Sequence, residues 1–347
     1  MKNKFFALAL LALCFAGTPV LTQAQAVPAD ANHSETSLRR NSHLSGERKP
    51  RPEDPQIKQI SDAFRTYCRF NGPFLPKKMS IDCGAPVVLT RDPKNGLLTV
   101  PVTINGIGCR MLLDTGATHT TLDENFVKEH MPEMKSIPIM ISGPTNVKGN
   151  RQKEAGVVEE LRIGNSRFRD FWVMKHDLSP IRHNFSAGEV VGIIGISTLG
   201  TAPFYLDVRE KTLTWTRIRP TGFSPVNGTL EPNGSLALFA KNKDTGMIIP
   251  FKIDCGASFT LVPKKYWSDE PTRTALLSVT DINAHGQNQA LRIGIPSEIE
   301  IGDTVKLDAV KPMLGEEELA LFGVDLLRRF VLYVDPIQNE YLIKMKE

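Results

Sequence analysis

The sequence predicts an all-β fold in which one chain forms two similar β-barrel lobes related by a pseudo-two-fold axis, with a short helix before them. After about Leu97 the chain consists of short runs of Val, Ile, Leu and Phe separated by Gly, Asn and Pro. That pattern is typical of β-strands joined by turns. The same order of hairpin, apolar strand and aspartate then occurs twice, which indicates an internal duplication.

The first residues have the pattern of an export signal. Lys2 and Lys4 precede an apolar run from Phe5 to Ala16, and small residues suitable for cleavage follow at Ala24 and Ala26. A membrane-spanning helix needs about 20 apolar residues, more than this run or any later one provides. We therefore predict a signal peptide over residues 1–26, no membrane span, and a periplasmic or secreted protein.

A polar segment and a short helix are expected between the signal and the β-rich region. Residues 27–54 are rich in Ser, Asn, Arg, Pro and Glu, which predicts a disordered leader or a removable pro-segment. Ile57, Ile60 and Phe64 then recur at helical spacing. Residues 55–96 are accordingly predicted to form an N-terminal helix and a loop extension.

The composition and the spacing of residues argue against several classes of ligand for this protein. The net charge is only +4, and no basic stripe with interleaved aromatic residues occurs, so nucleic acid is not an expected partner. The histidines are scattered and the cysteine spacings match no zinc site, so neither a metal nor a cofactor is expected. In an oxidising compartment, the short loop between Cys68 and Cys83 would permit a disulfide.

The two copies of the repeat correspond over several motifs. Gly106 in the first predicted hairpin lies 8 positions before Asp114, and Gly246 in the second lies 8 positions before Asp254. Near the ends of the copies, Gly195 and Gly323 lie 128 positions apart, as do Asp207 and Asp335. We predict a first lobe over 97–218, a linker over 219–234 and a second lobe over 235–347.

Four aspartates begin similar motifs, and only two of them are expected to act together. Asp114 and Asp254 both follow an apolar strand and precede Gly-Ala-Thr or Gly-Ala-Ser. Asp244 lies in a polar turn, and Asp82 lies outside both repeats and follows no apolar strand. The matched pair is therefore Asp114 and Asp254.

A pair of carboxyls facing each other has a specific chemistry. The two groups cannot both ionise easily, so they share a proton. The ionised group can take a proton from a water molecule between them while the protonated group polarises a peptide carbonyl. Aspartic proteases are the standard instance of such split titration.

With these motifs, each half of the sequence resembles the retropepsin-like aspartic protease family. The tandem arrangement resembles bacterial exported aspartyl-protease-like proteins. The resemblance rests on the apolar strand into Asp-Thr-Gly-Ala or Asp-Cys-Gly-Ala, a flap hairpin, and a later apolar-apolar-Gly motif. It implies two barrel lobes with Asp114 and Asp254 as the catalytic acids at their junction. It also implies a flap within about 138–157 and an equivalent loop near 282–288.

The resemblance assigns further roles by position in this sequence. Thr115 would hydrogen-bond across the axis, and two apolar-Gly pairs would support the acid loops from behind. The active-site loop residues are Thr115, Gly116, Ala117, Thr118, Cys255, Gly256, Ala257 and Ser258, and the supporting residues are Ile194, Gly195, Phe322 and Gly323.

The function implied is an aspartic endopeptidase that hydrolyses peptide bonds and acts as a monomer on a peptide or protein substrate. Cys255 departs from the family pattern, because a thiol is a weaker donor than the usual hydroxyl and should weaken the cross-axis hydrogen bonds. The alternative is therefore a catalytically weak or inactive peptide-binding module with the same fold. A third hypothesis is that residues 27–66 inhibit the enzyme as a pro-segment.

Overall fold

The structure is a computed structural model that describes residues 8–11, 75–141, 151–182, 184–186, 188–230, 236–267, 273–281, 287–315 and 320–346. The predicted helix near 55–66, most of the predicted signal peptide and Cys68 lie outside the described residues. Within them the chain is mostly β, so the predicted all-β class is confirmed. Three sheets make up two barrel lobes and the layer that connects them.

The first lobe is a nine-stranded sheet that closes on itself. Its closure comes from the pairing of Arg151–Ile163 with Ser166–His176. The strands, in order across the sheet, are Lys78–Ser80, Ser166–His176, Thr121–Asp123, Gly192–Ile194, Ile107–Leu113, Leu98–Ile104, Arg151–Ile163 and Ser136–Ile141, with Thr90–Arg91 beside Leu98–Ile104.

The second lobe is an eleven-stranded sheet that curls without a closing pair among the described strands. One strand, Leu8–Leu11, comes from the predicted signal peptide and pairs in parallel with Ser278–Asp281. The order is Leu8–Leu11, Arg273–Asp281, Gln287–Ile293, Met313–Gly315, Leu261–Pro263, Ala320–Phe322, Ile248–Ile253, Leu236–Asn242, Ser297–Ile301 and Val305–Val310, with Gly228–Leu230 beside Leu236–Asn242.

A six-stranded antiparallel sheet joins the lobes, and we call it the central sheet. Its middle pair takes one strand from each copy of the repeat, with Phe204 opposite Val334 and Asp207 opposite Val331. The order is Ser224–Pro225, Glu340–Met345, Phe330–Asp335, Phe204–Asp207, Thr212–Trp215 and Val87–Val88. The two halves of the repeat therefore meet at equivalent strands.

The central sheet and the lobes also use segments that the sequence assigned to loops. Residues 78–91 were expected to be part of a loop extension but contain three short strands, which pair with both the first lobe and the central sheet. Likewise, the predicted linker over 219–234 contains two strands. These strands are two or three residues long, so their own sequence carries too little periodicity to predict them.

Few helices occur among the described residues, and they follow local signals. In the longest, Glu124–His130, Asp123 is the N-cap and its side chain accepts a hydrogen bond from Phe126 N. The remaining helices are one turn long, namely Ser179–Arg182, Ile196–Leu199 and Val324–Leu327, with a 3-10 turn at Lys264–Tyr266.

One apolar core runs through both lobes and the central sheet. The central sheet contributes fully buried aromatic residues, including Phe204 and Trp215, and the Trp215 ring packs 5.6 Å from that of Phe168 in the first lobe. The hairpin turn at Asn105–Gly106 has φ values of 47° and 88°, as the predicted Asn-Gly turn requires. Packing in this core positions Ile107–Leu113 and Ile248–Ile253, the two strands that end at the candidate acids.

Candidate active site

The two candidate acids lie at the ends of equivalent strands. Asp114 follows Ile107–Leu113, and Asp254 follows Ile248–Ile253. The backbone N–H of Asp114 donates to Ile194 O at 3.1 Å, and that of Asp254 donates to Phe322 O at 3.1 Å. The sequence therefore builds the same loop twice.

The two loops face each other with each glycine against the other lobe's acid. A Cβ placed on Gly116 would lie 2.5 Å from Asp254 Cγ, and a Cβ placed on Gly256 would lie 2.5 Å from Asp114 Cγ. The two carboxyl groups are also close enough for each to affect the pKa of the other. Only a residue without a side chain permits so close an approach.

Each carboxyl has one oxygen, Oδ1, bound by its own loop and one, Oδ2, that the loop does not bind. Asp114 Oδ1 accepts from Gly116 N at 2.7 Å and Ala117 N at 3.1 Å, and Asp254 Oδ1 accepts from Gly256 N at 2.9 Å. Neither Oδ2 has a donor among the other described residues. These two oxygens are the ones available for a shared proton or a water molecule.

Burial raises the pKa of both acids. Both side chains have no exposed surface. Loss of hydration raises the pKa of Asp114 to about 6, and loss of hydration together with the negative charge of Asp114 raises the pKa of Asp254 well above its usual value. Because the two carboxyls interact, the pair retains a proton at pH values where exposed aspartates are ionised.

Thr115 and Cys255 tie the two loops together. Thr115 Oγ1 donates to Ile253 O at 3.0 Å and accepts from Cys255 N at 3.0 Å. Cys255 Sγ donates to Leu113 O at 3.2 Å and accepts from Thr115 N at 3.3 Å. The thiol thus makes both of the contacts that a hydroxyl would make, although its lower polarity was expected to weaken them.

The predicted supporting residues lie directly behind the loops. Ile196 N donates to Ala117 O at 2.8 Å, and Val324 N donates to Ala257 O at 2.9 Å. A Cβ on Gly195 would lie 2.6 Å from the His119 carbonyl, and a Cβ on Gly323 would lie 2.3 Å from the Phe259 carbonyl carbon. Glycine is required at both positions because backbone packs against backbone.

Part of the chain that forms this site matches a known protein family. Residues 100–198 match the family model described as "Aspartyl protease". Over these residues the chain is similar to the aspartyl proteases. The matched segment contains Asp114 and its supporting Ile194-Gly195, so the predicted resemblance to this family is confirmed for the first lobe.

Comparison with curated proteins gives no match. Among solved structures, one that matches is Basic 7S globulin from soybean, with 8% sequence identity and a TM-score of 0.47. That match covers 77% of this chain and 96% of the globulin chain.

The aspartyl-protease-like loops are supported by two threonines that the sequence analysis missed. Gly195 N donates to Thr120 Oγ1 and Gly323 N donates to Thr260 Oγ1, both at 3.2 Å. Thr120 Oγ1 also lies 2.7 Å from Thr198 Oγ1, whereas Thr260 Oγ1 donates to Asp325 Oδ1 at 2.8 Å. Their common position, six residues after each acid, is the signal that could have identified them.

The two loops differ at their fourth residue. Ser258 Oγ donates to Asn95 O, just before the first-lobe strand Leu98–Ile104, at 2.7 Å. The equivalent Thr118 Oγ1 is buried and has no hydrogen-bond partner among the described residues. Ser258 therefore links the second acid loop to the segment that enters the first lobe, a contact that Thr118 does not have.

The other candidate residues lie elsewhere. Asp82 accepts from Asn165 Nδ2 at 2.8 Å, and Asp244 is exposed in the turn that begins at Asn242. Cys83 forms no disulfide with another described residue, and since Cys68 lies outside the described residues, the Cys68–Cys83 disulfide stays a prediction. His119 is buried, and burial lowers its pKa to about 4.

Two hairpins occur where the flaps were expected. Ser136–Ile141 pairs with Arg151–Ile163, and the tip over 142–150 lies outside the described residues. Arg273–Asp281 pairs with Gln287–Ile293, and its tip over 282–286 also lies outside them. The stems of both hairpins thus have the antiparallel pairing that a flap needs.

No group of three or more metal-binding side chains comes together in the part of the chain that the structure describes. Likewise, none of the described helices is long and apolar enough to cross a membrane.

Proposed function

We propose that this protein is an aspartic endopeptidase that hydrolyses peptide bonds with water activated between Asp114 and Asp254. The observation that carries the proposal is the mutual approach of the two acid loops, in which each glycine lies against the opposite carboxyl. A duplicated Asp-x-Gly-Ala loop serving only as a strand end would not need this approach. Nor would it need two buried carboxyl oxygens without donors.

The chemistry follows from the single proton held by the pair. One carboxylate oxygen takes a proton from the bound water, and the water oxygen attacks the peptide carbonyl carbon. The protonated partner donates a hydrogen bond to the carbonyl oxygen as it gains negative charge. Transfer of a proton to the amide nitrogen then releases the amine product, and the pair is restored.

The supporting residues would hold the two carboxyls in this geometry. Gly116 N and Ala117 N donate to Oδ1 of Asp114, which leaves Oδ2 for the water. The Thr115–Cys255 contacts fix the distance between the loops. Such preorganisation lowers the cost of reaching the transition state.

A second candidate is a peptide-binding module that has this fold without turnover. The observation that favours it is the complete burial of both acids, which have no exposed surface in this structure. A substrate could reach the acids only after the surrounding residues moved. Binding without hydrolysis would then use the same cleft.

The first experiment compares wild-type protein with Asp114→Asn and Asp254→Asn on a mixed peptide library from acid to neutral pH. Mass spectrometry identifies the products. Asp82→Asn and Asp244→Asn are matched controls, because they make the same change in motifs that lie outside the acid pair.

A protease should lose cleavage by at least about 1,000-fold in both dyad variants, since removing one member of a catalytic unit is close to removing all. Both controls should cleave normally. A folded wild type that binds peptides without cleaving them, with equal affinity in Asp114→Asn, would favour the binding module. Loss of cleavage in only one dyad variant would contradict the pairing of these acids.

Export, oligomeric state and a pro-segment are parts of the same proposal. Both acids come from one chain, so we expect a monomer by light scattering, and the N-terminal signal should direct the protein to the periplasm or the medium. To test inhibition by the leader, the chain should begin at residue 75, because strands within 78–91 pair with both the first lobe and the central sheet and must be kept. Faster cleavage by this shorter chain would support a pro-segment, and an unchanged rate would exclude inhibition.

A further inference from the structure

A cavity of about 550 Å³ lies at one end of the central sheet, and both copies of the repeat contribute to it. Its walls come from the strand Thr90–Arg91, the turn after Phe204–Asp207, the end of the helix Val324–Leu327 and the end of the last strand. The lining residues are Arg91, Arg209, Arg328, Arg329, Met345 and Lys346. Pockets for small molecules commonly have volumes of about 300–1,000 Å³.

The lining is strongly cationic. Five of its six residues carry positive charge, and none is acidic. Carboxylates lie close to this lining: Asp207 and Glu210 are 2.6 Å and 3.8 Å from Lys346 Nζ, and Asp325 is near enough to Arg328 to interact with its charge. The four guanidinium groups thus outnumber these nearby acids. Arg91 and Arg328 are also close to each other: the pKa of Arg91 is lowered first by burial and second by the positive charge of Arg328.

Two of the arginines are held by the backbone. Arg91 Nη2 donates to Val208 O at 2.8 Å, and Arg329 Nη1 donates to Asp308 O at 2.6 Å. Arg91 Nε is buried and has no hydrogen-bond partner among the described residues. The backbone contacts therefore hold the Arg91 and Arg329 guanidinium groups in place at the cavity wall.

We propose that this cavity binds a phosphorylated small molecule or another compact multivalent oxyanion. Guanidinium groups match phosphate oxygens in charge and geometry, and the fixed Arg91 and Arg329 side chains reduce the cost of ordering the site on binding. Because the walls come from both copies, the bound anion would link the lobes. The site is separate from the acids: the helix Val324–Leu327 supports the Asp254 loop at its first residue, and Arg328 follows its last.

The test is calorimetric titration with inorganic tripolyphosphate and with orthophosphate at constant ionic strength. The test variant is Arg209→Gln/Arg328→Gln, because both side chains are exposed at the rim, and thermal unfolding of the variant checks that it is folded. The matched control is Arg217→Gln/Arg292→Gln, which makes the same charge change at exposed arginines that do not line the cavity.

We expect saturable binding of tripolyphosphate to wild type and to the control, weaker binding of orthophosphate, and a loss of about 10- to 100-fold in the test variant. Equal affinity in the test variant and the control, or no saturable binding to wild type, would overturn the site. Sedimentation with phosphatidylglycerol vesicles separates two sources of phosphate. Vesicle binding lost only in the test variant would identify a lipid headgroup, and its absence alongside tripolyphosphate binding would identify a soluble phosphate compound.

Discussion

Thr115 and Cys255 bond to each other across the two copies of the repeat, with Thr115 Oγ1 accepting from Cys255 N at 3.0 Å and Cys255 Sγ accepting from Thr115 N at 3.3 Å. Each residue directly follows one of the candidate acids. The contacts therefore fix the separation of Asp114 and Asp254 through the backbone itself. A hydroxyl and a thiol share the task in this chain, where the family pattern has two hydroxyls.

Two substitutions at Cys255 distinguish the effect of its sulfur atom from the effect of having any hydrogen-bonding side chain at this position. Cys255→Ala would leave the buried Thr115 N–H without its acceptor, and we expect a loss of about 1–3 kcal/mol in the free energy of unfolding. Cys255→Ser restores a donor and an acceptor and should recover most of that loss. Urea denaturation monitored by tryptophan fluorescence measures both values.

The control for this change is Cys109→Ala, which removes a half-buried thiol from a strand that leads to Asp114. It should cost less than Cys255→Ala. Equal costs at the two positions would mean that the cross-lobe hydrogen bonds contribute little to stability.

The glycines beside the acids give a second prediction. A Cβ on Gly116 would lie 2.5 Å from Asp254 Cγ, so Gly116→Ala must displace the carboxyl of the other lobe. We expect this overpacking to cost about 1–3 kcal/mol in stability and to reduce peptide cleavage sharply. Thermal unfolding and cleavage rates should be measured together.

Gly108→Ala is the matched control, since a Cβ at Gly108 would meet no atom within 4 Å and its φ is not in the left-handed region. This variant should be close to wild type in both measurements. A Gly116→Ala protein with normal stability and normal cleavage would show that the two loops are farther apart in solution.

A third prediction concerns the threonines behind the loops. Thr260→Val keeps the shape of the side chain but removes the acceptor for Gly323 N and the donor to Asp325. Asp325 is half-buried, and loss of hydration raises its pKa, so losing a hydrogen bond to its carboxyl is unfavourable. We expect Thr260→Val to cost about 1–3 kcal/mol, measured by urea denaturation. Thr103→Val, on a half-buried strand position, should cost much less.

Most of what the sequence predicted came from the repeat. Asp114 and Asp254 were separated from Asp82 and Asp244 because equal spacing from a hairpin glycine and a preceding apolar strand are local patterns. The pairing of Phe204–Asp207 with Phe330–Asp335 could not be predicted, because it joins strands far apart in sequence. The matched Asp207 and Asp335 showed only that the strands were equivalent.

The prediction for Cys255 was also limited, because it used the chemistry of the thiol without knowing which atoms surround it. A thiol is a weak donor in general, which suggested a loosened site. Whether its contacts form depends on where Leu113 O and Thr115 N lie, and that is decided by strands of the other lobe. Thr120 and Thr260 were missed for a different reason: their matched position six residues after each acid shows that they are equivalent, but their hydrogen bonds to Gly195 N and Gly323 N depend on strands far away in sequence.

The last prediction is a pH dependence of stability that comes from the acid pair. Burial raises the pKa of Asp114 from 3.8 to about 6 and raises that of Asp254 as well. Between these pH values the folded state binds more protons at the pair than the unfolded state does. The contribution of Asp114 to stability is therefore fully present at acid pH and is lost as the pH rises through about 6, and the contribution of Asp254 is lost in the same direction.

Buried His119 has the opposite dependence over part of this range, because its pKa is lowered to about 4 and the unfolded chain binds the proton first. A pH profile of wild type alone would mix the two effects. The difference between wild type and Asp114→Asn/Asp254→Asn isolates the pair, because His119 is present in both proteins. We expect the variant to gain on the order of 2–3 kcal/mol over wild type between about pH 4 and pH 7. Denaturation across this range, with Asp244→Asn as the control, measures the gain, and a difference that does not change with pH would mean that the two carboxyls ionise independently near their usual pKa.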